Sequence, residues 1–258
     1  MVQFTPIHAF SDNYIWLIES AARPEVAVVD PGEAGPVLAT LAERDLKLSG
    51  ILLTHHHGDH VGGVKEILAR YAAPVFGPAS ESIDGVDQPV RGDDVIALPD
   101  LDLYLRVVEV PGHTAGHVAY AGPDFALVGD TIFAGGCGRV FEGTMDQMFA
   151  SLSRLAALPP ETLLFCAHEY TLANLRFALA VEPDNAELQR RFQNATRARN
   201  AGRPTVPSTL ADELATNPFL RCDHRDVASA AEAHAGRTLP SAADVFEAVR
   251  SWKDGWSG

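Results

Sequence analysis

A run of five metal-type side chains within six residues constrains the fold and chemistry of this chain more than any other feature. The segment THHHGDH (54–60) follows an apolar run, GILLT, that predicts a β-strand. Its metal-type residues are His55, His56, His57, Asp59 and His60. Side chains two residues apart in an extended segment point to the same side, so we expect His55 and His57 to bind one ion together and His56 to point away. We expect the permissive backbone of Gly58 to turn the chain and direct Asp59 and His60 to a second ion.

Taken alone, this histidine run also fits a solvent-exposed patch or an adventitious metal tract. Three further residues with metal-binding side chains favour a specific metal site, because each follows another strand-like apolar run: His113, Asp130 and His168. In sheet-based folds, ligands gather beyond the carboxyl ends of strands. Imidazole and carboxylate groups suit zinc, manganese or iron. The four strand ends together predict a metal centre at one edge of the sheets.

The secondary structure that the sequence predicts changes at about residue 168, from mixed strands and helices to helices. Before that point, β-branched runs predict strands at 13–20, 25–30, 50–54, 103–110, 117–121, 125–130 and 162–167, and helical spacing predicts helices at 34–45, 62–72 and 145–158. After it, helical periodicity dominates, and Ser208 and Ser241 are predicted N-caps. We therefore predict two domains, a mixed one over residues 1–167 and a mainly helical one over residues 168–258.

The charge of the chain excludes one large class of partners. Of its 258 residues, 47% are hydrophobic and 21% are charged, which is ordinary globular composition. The net charge is −14, whereas a nucleic-acid-binding protein needs basic surface to displace counterions from phosphate. The acidity is concentrated: residues 1–165 hold 22 Asp and Glu against 9 Lys and Arg, and residues 166–258 hold 12 against 11. We expect no nucleic-acid partner, and two parts of the chain with different surfaces.

The cysteines and the start of the chain bear on its location. Cys137, Cys166 and Cys222 form no CxxC pair, and a sparse, odd count is typical of a reducing compartment. The first ten residues lack the basic start and long apolar stretch of a signal peptide. No apolar run approaches the ~18 residues that span a bilayer. We therefore expect a cytoplasmic protein with no membrane partner. We also expect it to be a monomer.

Several motifs resemble those of a known family. The pattern TH-x-H-x-DH, with GHTAGH (112–117), GD (129–130) and AHEYT (167–171), is similar to the metallo-β-lactamase superfamily. More specific likenesses to the glyoxalase II branch are FSDNYIWLI (10–18), GGCGRVFEGT (135–144), NPFLR (217–221) and VRSWKD (249–254). The resemblance covers essentially the whole chain. It implies an α+β fold, namely an αββα four-layer sandwich followed by a smaller, mainly α-helical C-terminal domain.

The resemblance also implies a ligand set and a reaction. It assigns His55, His57 and His113 to one divalent ion. It assigns Asp59, His60 and His168 to the other, with Asp130 and a water or hydroxide bridging the two. Zinc is the expected metal, with iron or manganese as alternatives. The implied reaction is attack of the bridging hydroxide on a thioester carbonyl, with Asp59 and Asp130 as catalytic residues; whether Asp59 accepts a proton or only binds metal stays open.

The implied substrate is S-D-lactoylglutathione, split into glutathione and D-lactate in the second step of methylglyoxal detoxification. The matching substrate-binding positions are Arg139, Phe141, Tyr170, Arg250 and Lys253. Arg139 stands where the family commonly has Lys, which keeps the charge, and Phe141 stands where it commonly has Tyr. The lost hydroxyl is expected to weaken glutathione binding by ~1 kcal/mol. By spacing alone, Arg250 and Lys253 also fit a solvated helix face.

Two alternatives remain open at this point. A persulfide dioxygenase with a single iron would share much of the metal motif. A non-catalytic binding protein with the same fold would be expected to have lost ligands, yet all seven are present. The complete ligand set and the basic pair Arg250 and Lys253 favour the hydrolase.

Overall fold

Short apolar runs in the first two thirds of the chain form two six-stranded sheets. The computed structural model describes residues 2–257. The first sheet has the strand order β1 (Val2–Ala9), β2 (Asn13–Ser20), β3 (Glu25–Val29), β4 (Lys47–Leu52), β5 (Val75–Pro78) and β6 (Gln88–Val90). From one edge to the other, the second has β7 (Val95–Leu98), β8 (Leu103–Glu109), β9 (Val118–Ala121), β10 (Phe125–Gly129), β13 (Leu163–Cys166) and β14 (Ser208–Thr209). A hairpin of β11 (Ile132–Phe133) and β12 (Gly136–Cys137) follows β10.

Nine α-helices are present in residues 2–257. They are α1 (Ala34–Glu43), α2 (Gly58–Val61), α3 (Val64–Leu68), α4 (Met145–Ala156), α5 (Thr171–Val181), α6 (Ala186–Asn200), α7 (Leu210–Thr216), α8 (Arg225–Ala235) and α9 (Ala242–Asp254). Short 3₁₀ turns cover Pro99–Leu101 and Pro218–Leu220. No helix in this part of the chain has the length and apolar character needed to cross a membrane.

Burial on both faces of the central strands creates four layers. In β2, Trp16 and Ile18 belong to the apolar core between the two sheets, whereas Ile15 and Leu17 face the core beneath α1 and α3. Strand β2 therefore reads as a continuous apolar run, because each of its faces meets a different core. Helices α4, α5 and α9 contribute buried residues to the same large core as the second sheet. The predicted αββα sandwich followed by helices is what the chain forms.

The strand directions bring several carboxyl ends to one edge. Strands β3, β4 and β5 are parallel in the first sheet, and β10 and β13 are parallel in the second. Strand β8 also runs with β10, because β9 between them is antiparallel to both. Residues that follow β4, β8, β10 and β13 therefore meet at a common edge, as the sequence predicts.

The structure corrects one predicted N-cap and shows how the chain turns at Gly58. Ser208 is not an N-cap: it lies in β14, and the Thr209 side chain accepts the capping hydrogen bond from Asp212 N–H. Ser241 does cap α9, by accepting from Asp244 N–H. Gly58 has no left-handed backbone; it begins α2, and this helical turn redirects the chain toward Asp59 and His60.

Candidate metal centre

The first group of candidate ligands consists of three histidines. The Nε2 atom of His55 lies 3.0 Å from His57 Nδ1, and His113 Nε2 lies 3.1 Å from the same Nδ1. His55 and His57 come from the segment after β4, and His113 comes from the loop after β8. The three nitrogens are thus close enough to bind one ion together.

The second group combines a carboxylate with two histidines. Asp59 Oδ2 lies 3.6 Å from His60 Nε2 and 3.5 Å from His168 Nε2. Asp130 joins this group to the first, since its Oδ1 lies 3.5 Å from His60 Nε2. Its Oδ2 lies 3.5 Å from His113 Nε2 and 3.4 Å from His168 Nε2. All seven predicted ligands therefore meet in one cluster, with Asp130 between the two groups.

The unpaired atoms of the cluster fit bound cations. Ligands 2.0–2.1 Å from a tetrahedral ion are about 3.3 Å apart, close to the observed spacings. Of four buried polar side-chain atoms without a hydrogen-bond partner in residues 2–257, three are His60 Nδ1, His60 Nε2 and Asp130 Oδ1. An unsatisfied buried polar atom costs free energy, which coordination would remove for Nε2 and Oδ1. The donor set therefore suits divalent metal ions.

Burial and charge set the protonation of these side chains. Burial lowers the pKa of His55 well below its usual value, and it also lowers the pKa values of His57 and His113. Neutral imidazole is the metal-binding form. Burial opposes the charged form of Asp130, but nearby His60 and His168 outweigh it and hold the Asp130 pKa well below its usual range. The cluster therefore presents neutral imidazoles in the first group and an ionised, shared carboxylate.

Three acidic or amide side chains orient the ligands, and the sequence did not reveal their roles. At the tip of the β1–β2 hairpin, the Asp12 carboxylate accepts from His168 Nδ1 at 2.8 Å, and Asn13 donates to Asp59 Oδ2 at 3.1 Å. Asp30, which follows β3 with a φ of 51°, accepts from the Thr54 N–H at 2.8 Å just before His55. Asp30 ends the predicted strand at 25–30, whereas Asp12 and Asn13 lie where the predicted strand at 13–20 begins.

Two histidines beside the cluster that are not in the ligand set, His117 and His56, also have defined partners. His117 is buried, and its Nε2 accepts from the Asp130 N–H at 3.1 Å. His56 points away from the cluster, as expected, and its ring nitrogens lie 2.8 Å from Glu81 and 3.1 Å from Glu142. His56 thereby links the histidine segment to the loop that contains Phe141.

Two glycines allow the close backbone approaches around Asp130. Gly129 has a φ of 48°, and a Cβ there would lie 2.5 Å from Thr54 Oγ1. A Cβ at Gly138 would lie 1.9 Å from the Asp130 carbonyl oxygen. The loop can therefore follow Asp130 closely, and the next carbonyl, that of Arg139, accepts from His113 Nδ1 at 2.8 Å.

Three of the five predicted substrate-binding residues border the metal cluster. A cavity of about 320 Å³ is lined by ligand residues together with Phe133, Arg139, Phe141 and Tyr170. Phe141 is 61% exposed and packs edge-on to His113, with a centroid separation of 5.3 Å. The Tyr170 ring stacks on His168 at 4.7 Å. The cavity thus joins the cluster to aromatic surface and one guanidinium.

The other two predicted substrate-binding residues, both on α9, do not line this cavity. Arg250 is buried, and its Nη1 donates to the Cys137 carbonyl at 3.0 Å. Lys253 donates to the Ala173 carbonyl at 3.3 Å, and its ammonium lies 5.0 Å from the ring centroids of Phe177 and Trp256. Burial lowers the pKa of Lys253 to about 8, and the Arg250 charge acts in the same direction.

Known proteins share both parts of this architecture. The profile of the metallo-beta-lactamase superfamily matches residues 10–168, and that of the hydroxyacylglutathione hydrolase C-terminus matches residues 169–256. The crystal structure of ETHE1 from Myxococcus xanthus has a TM-score of 0.67 and 24% identity, and the match covers 99% of this chain and 90% of that one. The structure of TTHA1623 in a di-iron-bound form has a TM-score of 0.58 and 27% identity, and covers 84% and 100%. Fold and site together define a metallo-β-lactamase superfamily protein.

Curated relatives narrow the class. A hydroxyacylglutathione hydrolase from Alkalilimnicola ehrlichii is 56% identical over 254 residues, which cover 98% of this chain and 99% of the relative. One from Pseudomonas aeruginosa is 50% identical over 258 residues with the same coverage. The chain belongs to the hydroxyacylglutathione hydrolase (glyoxalase II) family, a family of thiolester hydrolases. The predicted family and fold class are confirmed, and membership implies divalent-metal binding.

Proposed function

We propose that this chain hydrolyses S-(2-hydroxyacyl)glutathione, with S-D-lactoylglutathione as its physiological substrate and glutathione and D-lactate as products. This reaction is the second step of methylglyoxal detoxification. The observation that carries the proposal is the pair of three-ligand groups that share Asp130 beside a cavity bordered by Arg139. The family membership of the chain supports the same reaction.

The proposed metal content is two divalent ions per chain, with zinc expected and iron or manganese as alternatives. One ion would be held by His55, His57 and His113. The other would be held by Asp59, His60 and His168, and Asp130 would bind both. The related TTHA1623 is known in a di-iron-bound form, which supports a dinuclear site. When bound, such ions activate water as a nucleophile and polarise the substrate carbonyl.

Asp59 is the proposed proton acceptor. Its Oδ2 faces His60 and His168 and accepts a hydrogen bond from Asn13, which fixes the carboxylate plane. Its side chain is 41% exposed, whereas five of the other six ligands are buried, and no residue in the described part of the chain donates to Oδ1. Oδ1 would therefore be free to take up the proton that the attacking water releases. The leaving thiolate has a conjugate-acid pKa of ~8.5, so it needs no strong general acid.

The substrate is proposed to lie across the cavity, with its acyl end at the metal ligands. Phe141 and Tyr170 offer aromatic surface on either side, and Arg139 offers a guanidinium to a glutathione carboxylate. Lys253 and the buried Arg250 would act on the same anionic part of the substrate from α9. This arrangement supports a two-domain division at 167/168, in which residues 168–258 contribute to glutathione binding.

The proposed setting is the cytoplasm, with a monomeric enzyme that needs neither nucleic acid nor a membrane. All three cysteines are buried free thiols, which suits a reducing compartment. The net charge of −14 disfavours nucleic acid. Size-exclusion chromatography with light scattering tests the monomer directly.

Hydrolysis of S-D-lactoylglutathione, measured together with the metal content of the purified protein, tests the function. We expect thioester cleavage with about two equivalents of divalent metal per chain, and loss of activity on chelation that is reversed by adding zinc. About one iron per chain with oxygen consumption on a glutathione persulfide would contradict the hydrolase and favour the dioxygenase. Retention of full activity by the chelated protein would contradict the metal-dependent mechanism.

A further inference from the structure

The last residue of α9, Asp254, joins two of the predicted substrate-binding arginines. Its Oδ1 accepts from Arg139 Nε at 2.9 Å and from Arg250 Nη2 at 3.0 Å. Its main-chain carbonyl also accepts from Arg139 Nη2 at 3.4 Å. Arg139 belongs to the loop after β12 and Arg250 to α9, so this one carboxylate connects the metal-bearing part of the chain to the last helix.

Local helix energetics do not favour an acidic residue at this position. The C-terminal end of a helix carries a partial negative charge, which disfavours a carboxylate in the last turn. An arginine four residues before an acidic residue is also the weaker orientation of a helix ion pair. Local conflicts of this kind concentrate at functional sites. The contact with Arg139 gives Asp254 a tertiary role that the helix alone does not explain.

The contact fixes a side chain that would otherwise be free to move. Arg139 is 52% exposed and borders the cavity, whereas Arg250 is 6% exposed and Asp254 is 31% exposed. Ordering a free arginine side chain costs up to about 2 kcal/mol of conformational entropy. The Asp254 carboxylate accepts from Arg139 Nε, and its main-chain carbonyl accepts from Arg139 Nη2. These contacts order the guanidinium before any ligand binds. Arg139 Nη1 keeps no partner in residues 2–257 and remains available to an anion.

We propose that Asp254 is a positioning residue that holds Arg139 at the cavity edge for a carboxylate of the glutathione moiety. The inference rests on the proposed function. A competing role, in which Asp254 mimics the substrate carboxylate and blocks the site, conflicts with the charges. Arg139, Arg250 and Lys253 outnumber this single carboxylate, so the group stays cationic with Asp254 in place.

Binding of reduced glutathione, measured by titration calorimetry on the metal-loaded protein, tests the proposal without requiring turnover. Asp254→Ala is expected to raise the Kd for glutathione and the KM for S-D-lactoylglutathione about tenfold, with kcat within about twofold, because one charge-assisted contact to Arg139 is lost. Asp254→Asn keeps an oxygen acceptor for Arg139 and is expected to recover about half of that loss on a logarithmic scale. A neutral thioester without the glutathione carboxylates should show the same kcat/KM in wild type and in Asp254→Ala.

Glu247→Ala is the matched control, because Glu247 is an exposed acid of α9 with no ion pair in the described part of the chain. It should leave the Kd and KM unchanged.

An Asp254→Ala protein that binds glutathione as tightly as wild type, or more tightly, would overturn the positioning role. So would equal losses on the glutathione thioester and the neutral thioester, which would mark a general structural defect. A wild-type protein that binds glutathione but cleaves no thioester would overturn the proposed function and leave the positioning role standing; one that binds no glutathione would overturn both.

Discussion

At the scale of single residues, Asp130 is the side chain that the two ligand groups have in common. Its Oδ1 lies beside His60 and its Oδ2 beside His113 and His168, so no neighbour can replace it at both groups. The Asp130 backbone N–H also donates a hydrogen bond to His117, which helps to order the loops around Asp130.

Asp130→Ala is therefore expected to abolish thioester hydrolysis and to lower the bound metal below one equivalent per chain. The reason is the loss of a carboxylate shared by two cations, whose mutual repulsion then has no counter-charge between them. Activity assays and elemental analysis of the same preparation measure both effects. Asp124→Ala, at an exposed acid just before β10, is the control and should retain metal and activity. Full activity of Asp130→Ala would rule out the dinuclear mechanism.

Phe141 offers a second test at the same scale. The ring is 61% exposed at the mouth of the cavity, so an added para-hydroxyl would meet open space and not the core. Phe141→Tyr is expected to lower the KM for the glutathione thioester about fivefold, the equivalent of one hydrogen bond of ~1 kcal/mol. Steady-state kinetics with unchanged metal content measure the effect. An unchanged KM would show that the substrate peptide does not reach this position.

At the scale of elements, the sequence predicted a strand or helix correctly where the burial of that element alone produces its apolar pattern. The predicted strand at 13–20 is β2 to the residue, because its burial on both faces makes it a continuous apolar run. Several short or edge strands were missed, β1 and β6 among them: both are sheet edges, and β6 is three residues long with Pro89 at its centre. Within the predicted helical part, nothing in the sequence singled out helix α8, since its alanine-rich segment has few large apolar side chains to mark a periodicity.

The same contrast holds for the site. All seven ligands follow strand-like runs, so position and residue type were enough to find them. Asp12 was missed because its partner, His168, is 156 residues away, and only the packing of the two sheets brings them within 2.8 Å. Asp254 was missed for the same reason, since Arg139 is 115 residues away. Second contacts of this kind belong to the tertiary structure and leave no local pattern.

Helix α9 also predicts a pH dependence. Burial disfavours the Lys253 ammonium and lowers its pKa to about 8, with Arg250 adding repulsion and Asp254 opposing the shift. Lys253 is therefore charged below pH 8 and neutral above it. We expect the KM for the anionic glutathione thioester to rise as pH increases through about 8. In Lys253→Arg, which stays charged, this rise should disappear. Identical KM–pH profiles for the two proteins would show that Lys253 does not act on the substrate.

At the scale of the whole molecule, a buried acid connects the helical segment to the loop near the metal cluster. Glu213, in α7, is fully buried and accepts from the Gly135 N–H at 2.9 Å and from Asn217 Nδ2 at 3.0 Å. It also forms an ion pair with Arg191 of α6. Its carboxylate therefore stabilises the joint between the two parts of the chain.

Glu213→Ala is expected to lower the free energy of unfolding by about 3 kcal/mol, because it leaves the largely buried Arg191 charge and the Gly135 N–H without a partner. Urea denaturation monitored by circular dichroism measures the change. Glu187→Ala removes an exposed helix pair with Arg190 and should cost less than about 0.5 kcal/mol. Equal losses in the two variants would contradict the structural role of Glu213.

The late position of β14 in the sequence affects how the chain can fold while it is being synthesised. It consists of residues 208–209, yet it pairs with β13 and forms the edge strand on that side of the second sheet. While the chain is being made, β13 is complete at Cys166 but keeps an unpaired row of backbone groups until some forty further residues have followed. Such an open margin can recruit strands from other chains. A nascent or truncated chain that stops before residue 208 is therefore expected to aggregate more readily than the full chain, even though it already contains every metal ligand.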